Sequence, residues 1–377
     1  MDMNSPGNGV RLASLDVARG FDMLWIMGLS SLVVSLCGAF GYGAETAIAR
    51  QMEHPDWHGF HFIDLVFPTF IFIAGISFPF SLAKQRERGL GTSAIVVKIF
   101  RRAIVLSLLG FVYNGALKDG LMNVVWGSVL ARIGIAWGAA ALLTVFCGVR
   151  MRLMVAILIL IGYWAVCVFL SAPDRPGASP LSMEGCFSGW IDRMLLPGKL
   201  TVPGVITYQG VLSTLPAIST ALFGIFTGEY VRNSSASGER KSATMTTATL
   251  GMLAVGLFAA YGCGSWSVPL NKILWSTSFT LVAAACSLAL FTASYFLIDV
   301  KGWWRRMLFF RVIGLNALTI YLVQRVIGFR SASSFLFGWV GSLVPSGWSS
   351  VVVNVGYIAI CWTFLYLLHK HKIYLKI

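Results

Sequence analysis

From Phe62 to Leu82 the chain carries one charge, Asp64, near the start of an otherwise apolar run. A run of about 20 such residues is long enough to cross the hydrocarbon core of a bilayer as a helix. Just before it lies a polar stretch crowded with histidines: His54, His58 and His61. Titratable side chains therefore gather where the chain enters the membrane. Ionisable groups at such places are expensive unless paired or wetted, and they read first as functional.

The same pattern recurs along the 377 residues, of which 57% are hydrophobic and 12% charged. Soluble domains carry about 25% charged residues, so the composition describes a polytopic membrane protein. Ten spans are expected, at roughly 17–40, 62–83, 103–117, 125–147, 153–171, 210–231, 243–262, 273–298, 307–327 and 349–368. The longest polar insert, Ala172 to Tyr208, separates the fifth from the sixth. The expected fold is an all-α membrane helix bundle forming one domain over residues 1–377. No signal-peptide architecture is evident at its start.

With ten spans both termini share a side. That side's loops and tails hold 19 of the 29 Lys and Arg residues, against seven on the other, so both termini are expected in the cytoplasm. This asymmetry also accounts for the net charge of +14 without nucleic acid. His54 and the polar insert then face outward. Cys186 and Cys263 fall in polar loops on that outer side, where a disulfide is open to them. No CxxC or Cys/His spacing suggests zinc, and no metal is expected.

His54 is the leading candidate for a base or nucleophile, because a neutral imidazole can accept a proton or an acyl group near pH 7. The alternative is an interfacial histidine that caps a helix. Asp64, ten residues on, is placed to orient an imidazole. Asp16, Arg19 and Asp22 share one helical face, as neighbours that neutralise one another or as a pocket cluster. Arg132 lies within the fourth span and can bind a phosphate or carboxylate, or form a salt bridge with Asp16 or Asp22. Arg11, Arg19, Lys98, Arg101 and Arg102 cluster on the cytoplasmic side, as a binding patch or as solvated charge. Asn271, Lys272 and Asn316 can hydrogen-bond a ligand or another helix.

Several separated stretches coincide with one family. RLASLDVARGFDMLWIMG, HPDWHGFHFIDLVFPTFIFIAG, GSVLARIGIAWG, LNKILWSTSFTLVAAA, GLNALTIYL and the terminal KIYLKI occur in that family's order. In them the chain resembles the heparan-α-glucosaminide N-acetyltransferase family and its bacterial relatives. The resemblance implies transfer of acetyl from cytosolic acetyl-CoA, a co-substrate rather than a tightly bound cofactor, to an amine of a terminal glucosamine-like sugar beyond the membrane. It implies His54 as the catalytic histidine, with Arg11, Asp16, Arg19 and Arg132 along the coenzyme A path. It further implies a bacterial inner membrane with the active site toward the periplasm, and allows a homodimer. Two departures stand out: Ser30 replaces an asparagine of the first span, and Gln324 replaces a histidine late in the ninth. Both bear on the acceptor. A transporter or flippase for a polar metabolite or lipid-linked sugar is the reading from another class, supported by Arg132 and the many polar residues in the spans.

Overall fold

The computed structural model describes residues 12–43, 45–120 and 122–375, with only the backbone of Trp304 and Arg305. Arg11 lies outside the described residues. The described residues form helices and no strand, only isolated bridges. Lipid offers the backbone no partners, so each apolar run must satisfy its own amides and carbonyls, which a helix does.

The long helices are α1 (Ala13–Leu24), α2 (Ser30–Ala39), α3 (Val66–Glu87), α4 (Thr92–Tyr113), α5 (Val129–Phe146) and α6 (Val149–Phe169). After the polar insert come α7 (Leu215–Asn233), α8 (Gly238–Tyr261), α9 (Thr277–Tyr295), α10 (Leu308–Leu315), α11 (Ala317–Val326), α12 (Phe329–Leu343) and α13 (Ser346–Lys370). Serine side chains fix three of the starts. Ser128, Ser237 and Ser276 accept from the amides of Ala131, Arg240 and Phe279, as N-caps do.

Seven spans are long and apolar enough to cross a membrane, with α1 and α2 counted as one. The pair α10–α11, bent by 69° at Asn316, makes an eighth if taken as one broken span. Among the described residues, the helices at the third and sixth expected positions, α4 and α7, are present but do not meet that length-and-composition test, so seven or eight of the ten expected spans meet it. Lys98, Arg101 and Arg102 lie inside α4 and lower its apolar character. The stretch between the ninth and tenth expected spans also folds, as α12.

Small residues let the helices meet closely, as packing within lipid favours. A side chain on Gly224 or Gly228 of α7 would strike the carbonyls of Phe72 or Ile76 of α3. Where α1 crosses α10, one on Gly20 or Gly314 would strike the carbonyl of Phe310 or Asp16. Between α1 and α2 the backbone kinks at Gly28, whose φ of 119° suits glycine, with the Tyr357 ring filling the place of a Cβ.

The polar insert packs as a cap over one end of the bundle. Cys186, Ile206, Ile273 and Leu274 form its small core, and Trp57 Nε1 donates to Leu181 O at 2.8 Å. Asp192, on the short helix Phe187–Leu195, accepts from the amides of Thr207 (3.3 Å) and Val211 (2.9 Å). Burial raises its carboxyl to about 6. Cys186 and Cys263 are both free thiols. Each donates to a nearby carbonyl, Met183 O and Phe258 O, so no disulfide joins them.

Candidate active site

The chain from Glu53 to His61 turns back on itself before α3. His61 Nδ1 meets Glu53 O at 2.6 Å, and the His61 amide donates to Asp64 Oδ2 at 2.9 Å. That loop brings His54 over the first turn of the span. His54 Nδ1 lies 2.6 Å from Asp64 Oδ1. The carboxylate is fully buried, while the imidazole side chain is 57% exposed. An Nδ1–H donated to Asp64 leaves the Nε2 lone pair as an acceptor.

Lys272 completes the cluster from 208 residues beyond Asp64. Its Nζ lies 3.3 Å from Asp64 Oδ1 and 3.3 Å from each ring nitrogen of His54. Burial pushes the ammonium below its ordinary value, and Asp64 opposes that shift. The segment holding Lys272 is a tight turn. Asn271 Oδ1 accepts from Leu274 N (2.8 Å), and Ser276 N donates to Asn271 O (3.0 Å). At its end Trp275 has φ 54° with a fully buried ring. A left-handed backbone at a bulky residue costs about 1–3 kcal/mol, so packing must hold it there.

The cluster lines one end of a cavity of about 670 Å³. At the other end stand Arg19, Ser77, Arg102, Asn316 and Leu375, and Arg132 lies in the wall. Arg19 pairs with Asp16 at 3.6 Å and donates to Ser77 Oγ at 3.4 Å. Arg102 lies over the Trp137 ring, 4.2 Å from its centroid. Asn316 donates to Ile373 O at 3.1 Å, which ties the C-terminal tail to the break between α10 and α11.

Arg132 forms no salt bridge with Asp16 or Asp22. Its Nη2 donates to Ser213 Oγ at 2.5 Å, it faces the Trp275 ring at 5.0 Å, and its buried Nε has no partner. Of the other expected residues, Asn271 serves the turn and meets His58 Nδ1 at 3.3 Å. Arg101 is exposed and outside the cavity. Ser30 Oγ donates back to Trp25 O at 3.1 Å, and Gln324 also lies off the cavity wall. Residues that the sequence did not single out, among them Ser77, Tyr208, Gln209, Trp275 and Tyr321, line it instead. Tyr208 and Gln209 lie where the polar insert returns to the bundle.

A membrane helix bundle with a paired imidazole at one mouth of an internal cavity and guanidiniums at the other defines the class. Comparison with known proteins narrows it. Residues 11–128 match a family described as a domain of unknown function, DUF5009. The chain is 25% identical over 378 residues to mouse heparan-alpha-glucosaminide N-acetyltransferase, covering 86% of this chain and 56% of the mouse protein. It is 25% identical over 419 residues to the human protein of the same name, covering 97% of this chain and 60% of that one. The chain thus spans less than two thirds of the length of these relatives.

Proposed function

We propose that the protein is a transmembrane acyltransferase moving an acetyl group from acetyl-CoA to the amine of an amino sugar across the bilayer. The observation that carries this reading is the His54–Asp64 pair at one end of a cavity whose far end bears Arg19 and Arg102. The phosphates of the donor meet the guanidiniums, the pantetheine arm enters the cavity, and the thioester reaches His54. The charged nucleotide then never crosses, and only the small acetyl group does. In this reading the guanidinium end faces the cytoplasm, the side expected for the basic loops, and the relatives' names suggest a glucosamine-like acceptor. A bacterial inner membrane, with His54 toward the periplasm, fits this arrangement.

Two routes use the same atoms. In the first, Nε2 attacks the thioester carbonyl, the C–S bond breaks and coenzyme A leaves as a thiolate that takes up a proton. The amine then attacks the acetyl-imidazole, loses its proton and regenerates the imidazole. In the second, Nε2 takes the amine's proton as the amine attacks the thioester directly, and the proton passes to the departing thiolate. Asp64 holds the tautomer in both. The Lys272 ammonium, 3.3 Å from Nε2, is available to stabilise the oxyanion of a tetrahedral intermediate formed there.

The test is free-thiol release from acetyl-CoA by the purified protein, with glucosamine and sugars bearing only hydroxyls as acceptors. His54→Ala protein that folds and keeps its activity would remove His54 from the mechanism. Label trapped on His54 from acetyl-CoA alone would select the first route. A cavity reaching both groups of residues also suits a carrier, which would move solute in proteoliposomes without releasing coenzyme A.

A further inference from the structure

A second site lies away from the cavity, on the lipid-facing side of α12. Ala39 at the end of α2 meets Gly347 at the start of α13, and the rings of Phe40 and Trp348 pack there at 5.2 Å. Aromatic pairs of this kind mark the membrane interface. Ser31 lies eight residues from Ala39 and Asn354 seven from Gly347, about 10–12 Å deeper at about 1.5 Å per residue. The guanidinium of Arg330 sits between them, 3.5 Å from Asn354 Oδ1 and 3.5 Å from Ser31 Oγ, and 5.0 Å from the Tyr357 ring.

Arg330 is thus a side chain well inside the bilayer and exposed on the molecule's surface. Its partners there are neutral. The sequence has no Asp or Glu after Asp299 and none between Asp22 and Glu45, so α2, α11, α12 and α13 are all acid-free. Arg325 is exposed on the other side of the same break, over the Tyr113 ring at 5.8 Å. Among the described residues neither guanidinium has a carboxylate partner.

The backbone supplies an independent observation. Between α11 and α12 the chain leaves helical geometry at Ile327 and Gly328. Phe329 packs on Phe364, deeper still along α13, at 5.5 Å. Val326 is 85% exposed. Non-helical backbone at membrane depth persists only where protein or a polar filling covers it. The helix that follows, α12, has 15 residues, too few to span about 30 Å of hydrocarbon by itself.

We infer that the exposed face beside the break at Ile327 and Gly328 holds the phosphate of a bilayer lipid, with Arg330 as its main counter-charge and Arg325 flanking it. The lipid's chains run along exposed apolar side chains such as Phe335, Leu336 and Val355. A second copy of the chain does not fit the role. A two-fold contact through this face would set the same acid-free surface against itself and bring like charges together. A lipid phosphate brings the missing negative charge, and the local thinning that draws it inward is how bilayers meet buried arginines. This inference does not rest on the acyl-transfer reading.

The test uses the purified full chain, stripped of lipid by detergent exchange. Its thermal shift is followed on adding dioleoyl phosphatidylglycerol, dioleoylglycerol or inorganic phosphate, and retained phospholipid is counted by native mass spectrometry. The phospholipid alone is expected to stabilise the wild type. Arg330→Gln should weaken that effect at least tenfold, and Arg330→Lys should keep part of it. Equal stabilisation by dioleoylglycerol would show an apolar groove only, and stabilisation by inorganic phosphate a free-anion site; either overturns the proposal. So would a folded Arg330→Gln protein with undiminished lipid binding, or one whose only change is loss of a dimer. The three-ligand comparison on the wild type decides the matter even if the variants fail to fold.

Discussion

Replacing Asp64 by Asn tests the proposed chemistry most sharply, because it changes few atoms and removes a charge. The carboxylate accepts from His54 Nδ1 at 2.6 Å and from the His61 amide at 2.9 Å, with Lys272 Nζ at 3.3 Å. An amide has one oxygen to offer. If it faces His54, the new NH2 group meets the His61 N–H and a buried bond is lost, at about 1–3 kcal/mol. If the amide flips, the NH2 group faces Nδ1. The imidazole must then accept there and carry its proton on Nε2, where it can neither attack nor take a proton. Either way Lys272 loses its counter-charge. A wrong tautomer or a poorly held base lowers turnover by about 10²–10⁴-fold, equivalent to about 3–5 kcal/mol in the barrier. The assay is single-turnover thiol release, with a melting curve on the same preparation. Turnover within threefold of wild type from a folded Asp64→Asn protein would refute the reasoning.

Lys272→Met is expected to lower kcat about 10²–10³-fold with KM for acetyl-CoA little changed, while Lys272→Arg restores part of it; a change confined to KM would make Lys272 a binding residue. Asp192 gives a pH signature. Its carboxyl is raised to about 6 by burial, so between its ordinary value near 4 and about 6 the folded state holds the extra proton. Stability from this group is therefore present at low pH and lost as pH rises through 6, by about 3 kcal/mol in all. Asp192→Asn should flatten that slope in melting curves taken between pH 4 and 7. Gly314→Ala sets a methyl against the Asp16 carbonyl, and should destabilise the α1–α10 crossing by about 1–3 kcal/mol in a detergent melt.

The helices were legible because lipid leaves an apolar run little choice, and the spacing of polar loops marked where most of them end. What the sequence hid was set by distant contacts. His54 and Asp64 were readable as candidates, but the turn that joins them depends on the His61 amide and the Glu53 carbonyl, which no residue type announces. Lys272 was recognisable as polar near a helix start, while its place against His54 follows from the left-handed turn at Trp275. That turn occupies the expected start of the eighth span, which begins at Thr277 because Ser276 caps it. The break at Asn316 carries no proline to announce the bend, and α12, though Pro345 follows its end, is too short to read as a span. Arg132 offered two carboxylates as partners by sequence, and tertiary packing gave it a serine and two aromatic rings.

That packing of Arg132 bears on the cell's ion gradients. An open shaft through a membrane protein would let hydrons run down their potential and discharge the membrane. A fixed positive charge in its wall opposes any cation nearby, by about 3 kcal/mol at 6 Å for an effective dielectric of about 20. With Arg19, Arg102 and Lys272, which also line the cavity, the Arg132 guanidinium can thus admit an uncharged arm and hold back protons, so removing Arg132 should raise proton leak in vesicles.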